Sequence, residues 1–161
     1  MTRSCGEEDT GGSVTFGRPR AILGMRRNGN LAWRWLAAII LAHLFVSIAH
    51  GAAHTGAHVP LSRAANLFVF IVVLAGPLVG LALTWAAARI GSWLIAITMA
   101  ASLAFGCINH FVLASPDHVA HVDKLWRPFF TVTAILLAVT EGLASAVAIY
   151  LARESKGVSP L

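Results

Sequence analysis

Charge is scarce in this sequence. Asp, Glu, Lys and Arg make up 12% of the 161 residues, against 57% hydrophobic residues and a mean hydropathy of +0.74. So little charge excludes an ordinary soluble domain and makes a lipid bilayer the expected solvent. Cysteine is nearly absent as well: Cys5 stands in a polar stretch and Cys107 in an apolar run. That leaves neither a disulfide framework nor a Cys-x-x-Cys redox or zinc motif. A His-Glu-x-x-His zinc-protease motif is missing too. The formal charge of +5 comes from 12 Lys+Arg against 7 Asp+Glu and is concentrated toward the N-terminal end. Such a distribution reads as membrane topology, and nucleic acid is not expected as a partner.

What the chain has in abundance is long apolar runs. Four of them, at about 31–53, 62–89, 92–113 and 128–152, each reach the roughly 20 residues that a helix needs to cross the hydrocarbon core. Lipid offers the backbone no hydrogen-bond partners, so each run is expected to be helical. Gly56 and Pro60 mark the first connection, Arg89-Ile-Gly91 the second and Ser115 to Arg127 the third. Connections this short predict an all-α integral membrane protein, a four-helix bundle running up-down-up-down. Gly76-x3-Gly80 around Pro77, and Ser102-x3-Gly106, are expected to let helices approach closely.

Residues 1–30 lack apolar periodicity and are expected to form a disordered cytoplasmic tail, with 153–161 as a second tail. Met25 is a candidate alternative start. A competing reading of the first run is a cleaved signal peptide, with Met25-Arg26-Arg27 as its basic end and Gly51-Ala52-Ala53 as its cleavage region. Orientation follows from the basic residues. Arg3, Arg18, Arg20, Arg26, Arg27, Arg34, Arg89, Arg153 and Lys156 fall on one side, against Arg63, Lys124 and Arg127 on the other. This bias places both termini in the cytoplasm, and discarding residues 1–24 leaves it standing.

That topology gathers the histidines. His50, His54 and His58 end the first run, His110 ends the third, and His118 and His121 lie in the last connection, all on the extracytoplasmic side; His43 alone is deeper. On the first helix His43, Ser47, His50 and His54 follow one another at four, three and four residues, a single stripe that should face protein. The four-residue step from His50 to His54 suits two imidazoles on one metal. Ser115-Pro116-Asp117-His118 reads as the capped start of a short surface helix, a lid carrying Asp117, His118 and His121 on one face. Asp117 is then a supporting or direct ligand, and Cys107, three residues before His110, a further candidate. Against all of this stands the plain alternative of interfacial histidines bonded to loops, headgroups and water.

Glu141 lies about 20 Å below the outer end and His43 about 16 Å below His54, at 1.5 Å per residue. The two are expected to form a buried polar pair, either a clamp or a proton-relay step.

At Ala49-His-Gly-Ala-Ala-His54, Asn66-Leu-Phe-Val-Phe and His110-Phe-Val-Leu-Ala-Ser-Pro-Asp-His-Val-Ala-His121, the chain resembles a group of small, uncharacterised bacterial four-helix membrane proteins. The resemblance covers about residues 31–152 and implies a bacterial inner-membrane setting without implying a reaction. Membrane desaturases share the His-x3-His spacing, but their further His-His boxes do not occur here.

Three functions follow. The first is a histidine-rich site, with His50, His54, His110, His118 and His121 as ligands, binding copper, zinc, iron or haem for metal handling or electron transfer. The second is a non-catalytic accessory or pH-responsive subunit, with a membrane-protein partner or a second copy. The third is a zinc-dependent interfacial hydrolase with Asp117 or Glu141 as base. Whether the protein is an enzyme is left open by its sequence.

Overall fold

Four apolar helices dominate the computed structural model, which describes residues 20–155, with side-chain surroundings from Leu31 onward. Helix α1 is Arg20–Gly56 and carries the span Leu31–Gly56; α2 is Arg63–Leu83, α3 is Ala88–Val112 and α4 is Arg127–Glu154. All four spans are long and apolar enough to cross a bilayer, and the described residues contain no strand. The side chains left on the outside fit lipid as the solvent. Leu41, Phe45 and Ile48 are 62%, 75% and 72% exposed along one stripe of α1, an arrangement that water would penalise. The opposite stripe of α1 holds His43, His50 and His54, all buried.

The helix that was expected to begin at residue 31 starts at Arg20. Residues 1–19 and 156–161, which hold most of the two expected tails, lie outside the described residues.

One connection differs from expectation. The turn between α2 and α3 is Thr84–Ala87, and Arg89 and Gly91 belong to α3. Thr84 closes α2, its hydroxyl donating to the Leu81 carbonyl at 2.6 Å and its N–H to the Gly80 carbonyl at 3.1 Å. Gly91 serves packing instead of a turn: a Cβ there would stand 2.6 Å from the Gly80 carbonyl oxygen. Gly76 and Gly80 lie in the same seam, against Thr98 and Ile95. Close approach of this kind drives helix association in lipid, where apolar burial contributes little. The Ser102-x3-Gly106 pair works differently. Ser102 binds α4 through a hydrogen bond, and a Cβ at Gly106 would meet nothing nearer than the His110 ring at 3.9 Å.

Helix α3 packs on both α2 and α4, and α1 packs mainly on α4, so α1 and α2 stand at the two ends of the row with little contact between them. One apolar core, around Leu36, Ile40, Ile95, Met99, Ala148 and Leu151, joins α1, α3 and α4. A second, with Ala53, Ala57, Val59, Val122 and Phe130, closes the other end beneath the connecting segments. The C-terminal ends of α1 and α3 and the N-terminal end of α4 meet at this second core, and the histidines meet there with them.

Two of the helices contain a turn of π-helix, Val69–Ala75 in α2 and Ile108–Val112 in α3. The first has an identifiable cause. Pro77 has no N–H, which leaves the Val73 carbonyl, four residues earlier, without its usual donor. The His43 ring donates to that carbonyl through Nε2 at 3.2 Å. His43 is thereby a link between α1 and α2. The expected pair with Glu141 does not form: the α4 residue facing His43 is Thr140, its Oγ1 3.5 Å from Nδ1. Glu141, one residue on, is turned about 100° away and accepts a hydrogen bond from Ser102 Oγ at 2.8 Å.

Candidate metal centre

Helical spacing on α1 puts His50 and His54 one above the other, with ring centroids 4.8 Å apart. The π-turn at the end of α3 adds His110, whose ring centroid is 4.9 Å from that of His50. Phe130 of α4, fully buried, lies against all three rings at 4.7, 4.9 and 5.3 Å and fixes their positions from one side. Each histidine offers one ring nitrogen, and the three lie within 4.8 Å of one another.

The hydrogen bonds on the far side of each ring decide which nitrogen that is. His50 Nδ1–H donates to Thr133 Oγ1 at 2.8 Å; the threonine proton is itself committed to the Phe129 and Phe130 carbonyls, at 2.9 and 3.0 Å. His54 Nδ1–H donates to the Val59 carbonyl at 3.3 Å, and His110 Nδ1–H to the Asp117 carbonyl at 3.1 Å. A neutral imidazole carries one N–H, so all three Nε2 atoms present lone pairs. His50 Nε2 and His110 Nε2 face each other at 3.2 Å. His54 Nε2 faces Asp117 Oδ1, also at 3.2 Å.

Asp117 lies beside this set of acceptors. Its Oδ1 is buried and lacks any partner of hydrogen-bond geometry, although His110 Nδ1 is 3.4 Å away. That proximity is not a hydrogen bond, because the His110 proton points to the Asp117 carbonyl. Burial on its own would push the carboxyl pKa up. The nearby His110 ring, followed by His54 and His50, outweighs burial and holds Asp117 below the ordinary carboxylate range. An orphaned buried carboxylate oxygen costs several kcal/mol unless something positive meets it. His50, His54 and His110 form a cluster that could hold a metal ion, with the Asp117 carboxylate beside it.

The chain around Asp117 is not the expected lid helix. Ser115 to Trp126 is a series of turns. His110 competes for the backbone there, taking the Val119 N–H on its carbonyl at 3.0 Å while donating to the Asp117 carbonyl. With no helix, the three- and four-residue spacings no longer bring His118 and His121 beside Asp117. Those two rings pair with each other at 5.3 Å; His118 Nδ1 accepts from the Ala120 N–H at 3.1 Å, and His121 Nδ1–H donates to the Ser115 carbonyl at 2.8 Å. Neither belongs to the convergent group, and neither does the half-buried Cys107.

Below the three rings is a cavity of roughly 90 Å³, lined on α1 by Ser47, on α3 by Ser102 and on α4 by Leu137 and Glu141. Glu141 thus belongs to the histidine cavity and not to His43. Two contributors were missed in the sequence, Phe130 and Thr133. Their signal was the stripe Phe130, Thr133, Leu137 and Glu141 at three, four and four residues, which places them on the face of α4 that carries its one deep acid.

No family model, curated protein or solved structure matches the chain.

Proposed function

We propose that this protein is a multi-pass metal-binding protein of the bacterial inner membrane, holding one divalent transition metal, zinc before others, between His50, His54, His110 and Asp117. The site would stand at the extracytoplasmic end, with both termini in the cytoplasm, because Arg34, Arg89 and Arg153 belong to the opposite end of the bundle. One observation carries the reading: each Nδ1 is committed to an acceptor, so that three Nε2 lone pairs converge within 4.8 Å of one another, with an unpartnered carboxylate oxygen 3.2 Å from the His54 Nε2. Distances support zinc. Metal–ligand bonds of about 2.0–2.1 Å in a tetrahedron put ligand atoms about 3.3 Å apart. Two of the opposed pairs stand at 3.2 Å.

Haem fits poorly. A cavity of roughly 90 Å³ takes a few waters, far less than a macrocycle needs. Metal handling is accordingly favoured over electron transfer.

The test is metal analysis of protein purified in mild detergent, followed by Zn²⁺ titration and by Co²⁺ substitution, whose visible spectrum reports tetrahedral ligation. One ion per chain is expected, lost in His54→Ala and in His110→Ala. A preparation that is metal-free and takes up neither ion overturns the reading.

A further inference from the structure

The buried centre needs a path for a hydrated ion, and the structure offers one at α1 and the segment after it. We propose that Gly51 forms a portal and His58 a capture ligand through which a hydrated divalent cation reaches the three-histidine centre. This inference rests on the metal reading above.

Outside the centre is a second, open crevice lined by Thr55, His58 and Asn66. It shares Gly51, His54, Leu61 and Val69 with the inner cavity, so the two are separated only by these residues. The shared wall falls where α1 and α2 make little contact. Gly51 is the unusual member. Glycine within a helix is unfavourable by up to about 1 kcal/mol relative to alanine, and at four other helical glycines that cost is explained by packing. A Cβ at Gly56 would collide with the Trp126 ring, and those at Gly76, Gly80 and Gly91 would collide with α3 or α2. At Gly51 a Cβ would meet nothing within 4 Å. What its absence preserves is open space between the crevice and the cavity.

His58 is the second unusual residue. Helix α1 ends in a Schellman motif: the His58 N–H donates to the Thr55 carbonyl at 3.2 Å and the Val59 N–H to the His54 carbonyl at 3.0 Å. The position that must adopt the left-handed conformation is His58, at φ 53°. Among described residues it is the one non-glycine with positive φ. Glycine is the usual occupant of this position. Histidine here is strained and exposed, and it lines the crevice, four residues beyond His54. Strained non-glycine residues of this kind concentrate at functional positions. An exposed imidazole there would exchange one water of the incoming ion for a ring nitrogen before His54 takes it.

The experiment follows Zn²⁺ alone by stopped flow, with a fluorescent chelator reporting uptake and release, in wild type, Gly51→Ala, Gly51→Leu, His58→Gly and His58→Asn. Both substitutions at 58 keep the left-handed backbone accessible, and Gly51→Ala controls for helix propensity. Gly51→Leu should slow uptake and release together by tenfold or more, with the equilibrium affinity within about twofold of wild type. His58→Gly and His58→Asn should slow both several-fold in the same balanced way, because a transient ligand lowers a barrier without altering the bound state. Unchanged rates in Gly51→Leu and the His58 variants overturn the portal while leaving the metal centre intact. So does a change in affinity carried by release alone. If wild type binds no Zn²⁺, the centre and its portal fail together.

Discussion

The Nε2 atoms of His50 and His110 stand 3.2 Å apart, each with its lone pair turned to the other. Two acceptors at this distance repel unless a cation or a proton lies between them. Thr133 and the Asp117 carbonyl, by holding the opposite nitrogens protonated, prevent the rings from resolving the conflict themselves. From this follows an expectation about ligands and about their supports. His50→Ala, His54→Ala and His110→Ala should each weaken Zn²⁺ binding at least a hundredfold in chelator competition. Thr133→Val, which removes only the acceptor behind His50, should weaken it about 10–100-fold. Equal affinity in wild type and Thr133→Val would show that the tautomer is not what organises the centre.

Acid should release the metal by way of the histidines. Ligating nitrogens must be free of protons, so affinity falls as pH drops. Asp117 has its pKa lowered, so its carboxylate stays ionised to a pH below its ordinary value and contributes above that point. Binding should therefore fall as pH is lowered, with more than one proton taken up per metal released, and Asp117→Asn should weaken binding without moving the pH at which it is lost. A one-proton dependence centred in the carboxylate range contradicts this assignment.

His43 should prove structural. Its ring replaces the donor that Pro77 withholds from the Val73 carbonyl. Loss of a buried hydrogen bond of this kind costs about 1–3 kcal/mol. His43→Ala should lower thermal stability in detergent yet leave Zn²⁺ affinity unchanged. Pro77→Ala restores the helical N–H, so the penalty of His43→Ala should shrink in that background. A full penalty in the double variant would separate His43 from Pro77.

His58→Gly should make the protein more stable, by about 1 kcal/mol, since the left-handed conformation costs a side-chain-bearing residue about 1–2 kcal/mol and glycine little. Thermal unfolding reads this directly. A destabilised variant would mean that the His58 ring makes a contact of its own that holds the turn.

Much of the centre was legible because one helix carries half of it. His50 and His54 are four residues apart on a stripe that has to face protein, and His110 ends a neighbouring run at the same level. Less was legible in the last connection. Ser115-Pro116-Asp117-His118 has the local chemistry of a helix start, yet the backbone there bonds to His110, which no local pattern reveals. The pairing of His43 with Glu141 failed by a single residue of helix rotation, with Thr140 in the place expected for the acid.

By itself the sequence determined the solvent, the helices and their number, because long apolar runs in lipid have to satisfy their backbone internally. It also determined that buried polar groups would seek one another. The partners were decided only by the tertiary structure. Whether His118 or Phe130 borders the ligands, and whether Glu141 faces His43 or the cavity, depends on how each helix is rotated about its axis. That rotation comes from glycine seams, from Pro77 and from a π-turn beneath His110. These features act between helices, and a spacing read along one helix does not contain them.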